Sequence, residues 1–91
     1  QNFSSLKIIP NPFHNETTIT YNLGESGNIK IEIFDLQGKK IVTLVNQKQK
    51  TGIHHITWNR KDKMGKALSS GVYICNFIYG TENHSKQIIV L

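Results

Sequence analysis

From Thr17 to Leu23 the chain reads Thr-Thr-Ile-Thr-Tyr-Asn-Leu, with Ile19, Tyr21 and Leu23 alternating against Thr18, Thr20 and Asn22. Successive side chains of an extended backbone point to opposite faces, so a period of two marks a half-buried β-strand and is incompatible with an amphipathic helix. The same period recurs from Asn28 to Asp35, where Ile29, Ile31 and Ile33 oppose Lys30, Glu32 and Phe34. It recurs again from Ile53 to Trp58, where His54, Ile56 and Trp58 oppose Ile53, His55 and Thr57. Turn residues interrupt each run. Gly24 to Gly27 breaks the first, and Asp35-Leu36-Gln37-Gly38 places Asp and Gly where a type I turn favours them.

That turn predicts a hairpin between the second run and a third strand, Lys39 to Val45, before a polar stretch from Asn46 to Gly52. A loop from Asn59 to Ser70 carries a second Asp-x-x-Gly signal at Asp62 to Gly65. Gly71 to Tyr79 has apolar groups on both faces and is expected centrally in a sheet. Gly80 to Asn83 is expected to turn, and Lys86 to Leu91 to close as a last strand. A short first strand, Leu6 to Ile9, ends at Pro10 and Pro12, neither of which can donate to a ladder. Seven short strands without a helical window predict an all-β chain, an immunoglobulin-like β-sandwich of antiparallel strands. The Cys-Trp-Cys signature of antibody domains is missing, so the relationship is one of architecture.

At 91 residues the chain is one domain with a compact core. Hydrophobic residues make up 37% and charged residues 19%, too polar and too poor in charge for a coiled coil. The apolar run from Ile88 to Leu91 is far too short to cross a bilayer. A single cysteine, Cys75, excludes an internal disulfide and a Cys-rich zinc site. The chain opens on Gln1 without a signal peptide, as expected of a segment cut from a longer polypeptide.

Net charge is +5 and the isoelectric point is near 9.5, yet ten of the eleven basic residues are lysine. Base readout and bidentate phosphate contacts favour arginine, so a solvated, edge-protecting lysine surface is expected in place of a nucleic-acid interface. His54 and His55 are adjacent in a strand and point to opposite faces, so they cannot share a metal ion. His14 and His84 fall in separate turns. Asp35 and Asp62 each stand three residues before a glycine, where a carboxylate closes a turn on backbone N–H groups. No phosphate-binding loop, nucleophile elbow or His-Glu-x-x-His segment occurs, and Cys75 is expected as a buried apolar residue. The expectation is no enzyme, no cofactor and no metal. Three Asn-x-Ser/Thr tripeptides, at Asn2, Asn15 and Asn83, matter only in a glycosylating pathway.

Five blocks in order carry a family resemblance. Ile9-Pro10-Asn11-Pro12-Phe13, followed by Thr17 to Leu23, resembles the Pro-Asn-Pro-Phe…Thr-x-Ile-x-Tyr-x-Leu opening of type IX secretion system C-terminal sorting domains. Ile31 to Lys39 is similar to that family's hydrophobic–Tyr-Asp-x-x-Gly-Lys hairpin, with Phe34 in place of Tyr. Gly52 to Trp58 matches its Gly-x-His-x-hydrophobic-x-Trp strand, although Asn59 follows where Asp is common. Gly65 and Ser70-Gly71-Val72-Tyr73 match the next block, with Cys75 at a frequent aromatic position, and Lys86 to Leu91 matches the last strand. Most of the pattern is shared with the immunoglobulin-like domain of flagellar hook-capping proteins.

The resemblance implies a C-terminal sorting domain, residues 1–91, of an exported protein in Bacteroidetes-type bacteria. Its implied partners are the outer-membrane translocon, a surface sortase-like protease that removes the domain, and an N-terminal cargo in the same polypeptide. Its implied location is the periplasm in transit, then the cell surface or beyond. Carried over, the recognition residues are Pro10, Asn11, Pro12, Gly71, Tyr73, Lys86, Val90 and Leu91. A terminal strand at a sheet edge would let a receptor complete its unpaired backbone groups. Two alternatives remain: an adhesive or carbohydrate-binding module built on Tyr21, Trp58, Tyr73 and Tyr79, or a hook-cap-like structural domain.

Overall fold

Every alternating run becomes a strand in the computed structural model, which describes residues 3–91, with side chains from residue 5 onward. The strands are β1 (Phe3–Ile9), β2 (Thr17–Leu23), β3 (Gly27–Phe34), β4 (Lys40–Gln49), β5 (Gly52–Trp58), β6 (Gly71–Tyr79) and β7 (Glu82–Val90). They form a three-stranded sheet, β1-β2-β5, and a four-stranded sheet, β4-β3-β6-β7, with every pairing antiparallel. This is the expected sandwich, and β6 lies inside its sheet as its two apolar faces require.

The inward half of each alternation makes the core. Ile19, Tyr21 and Leu23 of β2 face Ile29, Ile31 and Ile33 of β3 and Cys75, Phe77 and Tyr79 of β6, all at most 1% exposed. Burying a side chain of this size stabilises the fold by roughly 1.5–3 kcal/mol relative to leaving it in water. Tyr79 also fastens the β2–β3 crossing by donating its hydroxyl to the Glu25 carbonyl. Among the described residues one charge is buried: Glu32, 6% exposed, is held on the outer face by Lys40 at 3.3 Å and Lys30 at 3.6 Å.

Three strands exceed their sequence limits. β1 begins at Phe3, ahead of the expected Leu6. β4 continues through Asn46, Gln47, Lys48 and Gln49, which pair with β3 as far as Gly27. β7 begins at Glu82, paired with Tyr79 across a two-residue connection, in place of the expected turn through Asn83. All three are edge strands, and an edge ladder needs only backbone groups, so polar side chains do not end it. β4 also skips Leu44 and Ile41 in its register, two bulges that blunt an exposed edge. Asn2 of the first Asn-x-Ser tripeptide lies outside the described residues.

Candidate functional site

Apart from Lys86, the residues carried over from the resemblance gather at one end of the sandwich, where β1, β3 and β5 end and β2 and β6 begin. Here the chain leaving β1 becomes a strap, Pro10 to His14, that crosses to the other sheet and lies along the outer edge of β7. Both Ile9–Pro10 and Asn11–Pro12 peptide bonds are cis. The buried Thr17 hydroxyl donates to the Pro10 carbonyl and ties the strap to the start of β2.

Asn11 works as a backbone mimic. Its side-chain amide donates to the Gln87 carbonyl at 2.8 Å, and its Oδ1 accepts from the Ile89 N–H at 2.9 Å. Two residues on, the Phe13 N–H donates to the Ile89 carbonyl at 3.0 Å and the Leu91 N–H donates to the Phe13 carbonyl at 2.9 Å. Phe13 thereby bridges Val90 in parallel. The outer edge of β7 is therefore filled from Gln87 to Leu91, where a bare edge had been expected to attract a receptor strand. Between Glu82 and Lys86 no strand lies beyond β7 among the described residues.

Arg60 fixes the same end from the 59–70 loop. Its Nη1 donates to the carbonyls of His14 at 2.7 Å and Leu91 at 3.0 Å, while Nε and Nη2 both reach the Leu68 carbonyl. Strap, loop and chain end are thus held by one planar guanidinium, a geometry that lysine cannot copy. Sequence reasoning missed Arg60; being the lone arginine among ten lysines was the available signal.

Beneath this polar lattice lies an aromatic cluster. Trp58 packs on Phe13 with centroids 5.7 Å apart and on Tyr73 at 6.1 Å, and donates its Nε1–H to the Lys61 carbonyl. Tyr73 is buried and gives its hydroxyl to the Ser69 carbonyl at 2.8 Å. Gly71 pairs with Val90 at φ +153°, a conformation L side chains rarely adopt, although a Cβ there would meet no atom within 4 Å. Pro10, Asn11, Pro12, Gly71, Lys86 and Leu91 are exposed, whereas Tyr73 and Val90 belong to the core. Lys86 stands apart from this end, paired with Cys75 midway along β7.

The other sequence candidates take structural places. The Asp35 and Asp62 carboxylates each accept two backbone N–H groups inside their turns. The N–H of Lys66, with smaller help from Met64 and nearby lysine charges, holds the Asp62 carboxyl below its ordinary value. His54 stacks on Tyr21 and meets the Lys50 carbonyl, while His55 faces away and meets Thr20. Tyr21, Trp58, Tyr73 and Tyr79 are all buried, so none supplies the exposed platform a carbohydrate-binding module needs. Burial pushes the Cys75 thiol up to about 12. Iodoacetamide is accordingly expected to leave Cys75 unmodified at neutral pH and to label it only when denaturant opens the sandwich; rapid labelling of native protein, read by mass spectrometry, would contradict this.

A family model described as a secretion system C-terminal sorting domain matches residues 7–91. Among solved structures, dimeric latent PorU from Porphyromonas gingivalis superposes with a TM-score of 0.75 at 20% identity, over 94% of this chain and 9% of that one. PorZ, a surface component of the type-IX secretion system of the same bacterium, gives 0.66 at 18% identity, over 96% of this chain and 11% of that one. FlgD from P. aeruginosa gives 0.58 at 20% identity, over 82% of this chain and 59% of that one. No curated protein matches the chain. The structural likenesses establish the shared sandwich, and this chain spans only about a tenth of the two Porphyromonas proteins. The family match runs over nearly the whole sequence, and with it the chain belongs to the secretion system C-terminal sorting domains, the sorting signals of type IX secretion.

Proposed function

We propose that residues 1–91 form a single sorting domain of a longer exported polypeptide, read by the type IX machinery at the interlocked end of the sandwich and then removed by a surface sortase-like protease. The observation carrying this reading is the seating of Asn11 on Gln87 and Ile89, which joins residues 76 and 78 positions apart into one surface. A machine that reads this surface recognises a completed fold, because strap and last strand meet only when both sheets are assembled. Pro10, Asn11, Pro12, Lys86 and Leu91 are the exposed contacts in this scheme. Gly71 lies exposed beside them, and Tyr73 and Val90 support them from beneath. The cargo lies N-terminal to the domain, and the domain itself performs no catalysis.

A reporter followed by residues 1–91 is expected to reach the surface of a host carrying the machinery and to remain periplasmic in a strain lacking its translocon. Lys86→Glu and Leu91→Asp alter exposed side chains, so each is expected to leave the thermal midpoint nearly unchanged while lowering surface display. Periplasmic retention in both strains would refute the sorting role of this chain. Undiminished display of both variants would refute the proposed contact surface alone.

A further inference from the structure

Two turns of the same construction adjoin at the sorting end. Asp35-Leu36-Gln37-Gly38-Lys39 and Asp62-Lys63-Met64-Gly65-Lys66 each close with the Gly N–H on the Asp carbonyl and the Asp N–H on the carbonyl of the final Lys. Each Asp Oδ1 takes the N–H groups two and four residues on, and Gly38 and Gly65 adopt φ of +87° and +82°. The Lys63 N–H reaches the Ile41 carbonyl at 3.3 Å, setting the second turn against the start of β4. A cleft of about 230 Å³ with Ile41 and Met64 in its walls runs between them.

Among the described residues the large exposed apolar side chains are Ile9, Leu36, Ile53, Met64 and Leu91, and this pair of turns brings two of them together among lysines. Leu36 is 62% and Met64 83% exposed, each at the crest of a rigid turn. Around them stand Lys39, Lys40, Lys61, Lys63 and Lys66, all exposed. The carboxylates in the two turns, Asp35 and Asp62, are engaged by backbone N–H groups; Lys40 pairs with Glu32, and Lys39 and Lys66 lie near the Asp62 charge.

We propose that these twin turns are a peripheral membrane-docking tip, placing Leu36 and Met64 at the acyl boundary and the surrounding lysines among anionic lipid headgroups. Lysine suits this partner because a mobile headgroup layer requires charge without fixed bidentate geometry. Stacked nucleobases would need exposed aromatic rings, and protein hot spots favour Trp, Tyr and Arg seated in pockets. The tip offers neither. Two convex crests with single apolar side chains instead fit a deformable surface. Docking there would bring the sorting end toward a membrane, but the proposal rests on the turns alone and stands whether or not that end is read by a translocon.

The test is flotation of the 91-residue chain with vesicles of equimolar phosphatidylglycerol and phosphatidylcholine, against vesicles of phosphatidylcholine alone. Binding is expected only to the anionic vesicles and should weaken with added salt. At about fivefold per lysine near an anionic surface, Lys63→Gln with Lys66→Gln is expected to lose about 25-fold. Met64→Ser is expected to lose about tenfold through lost apolar burial. Lys7→Gln, on the outer face of the other sheet, is expected to change binding less than about twofold. Absence of flotation would overturn the proposal, and capture of the same chain by polyglutamate beads would then assign the tip to an acidic protein. Equal losses for Lys7→Gln and the tip variants would overturn it too, since net charge alone would account for binding.

Discussion

Trp58→Ala is expected to lower the unfolding free energy by about 3–5 kcal/mol, the range for emptying a large aromatic site in a packed core. Trp58 is 1% exposed and supports Phe13 on the strap side and Tyr73 on the β6 side. Removing it opens a void where the two sheets, the strap and the long loop converge, and few neighbours can close in, because Phe13 is fixed by its backbone bonds to Ile89 and Leu91. A domain of this size has a total stability of only about 5–15 kcal/mol, so the variant should be close to unfolding at physiological temperature. Trp58→Phe separates packing from polarity: it keeps most of the ring volume but leaves the Lys61 carbonyl without its donor, a loss of about 1 kcal/mol. Urea unfolding monitored by far-UV circular dichroism measures both, since the only tryptophan is the residue being changed. A loss under about 1 kcal/mol for Trp58→Ala would show that the cluster is not the keystone described here.

The same contrast between local and distant interactions explains what could be read from the sequence. β2, β3 and β5 each bury one face against the opposite sheet, and that asymmetry is written in the chain as alternation, whereas β6 was legible from apolar groups on both of its faces. The second half of β4 and the first half of β7 carry no such mark, because an exposed edge strand is held by ladder bonds common to every residue type. The turns at Asp35 and Asp62 were legible since all their bonds fall within five residues. The sorting end was legible only by resemblance. Asn11 meets Gln87 and Ile89, and Arg60 meets His14 and Leu91, across separations that no periodicity encodes. For the same reason the filled edge of β7 was invisible: an isolated Pro-Asn-Pro says that a strand stops, not where the next residues dock.

Arg60→Ala is expected to cost about 2–4 kcal/mol, from hydrogen bonds of a charged donor to three carbonyls, two of them near solvent and the Leu68 carbonyl partly buried. The backbone at Arg60 sharpens the test. Its φ of +56° lies in the left-handed region, which costs a non-glycine residue about 1–2 kcal/mol. If position 60 served only to turn the loop, Arg60→Gly would stabilise the domain. If the guanidinium is the fastener, Arg60→Gly should still be less stable than the native chain, though less impaired than Arg60→Ala. Arg60→Lys should resemble Arg60→Ala, because one ammonium cannot reach three separate carbonyls at once. Asn11→Ala supplies the complementary cut, removing two bonds to β7 at roughly 1 kcal/mol each. Both residues hold the segment from Gln87 to Leu91, so losing either should loosen what the other grips. The double variant should therefore be more stable than the sum of single losses predicts, by at least about 0.5 kcal/mol. Strict additivity, or a stabilising Arg60→Gly, would mean that the strap and the loop secure the last strand independently.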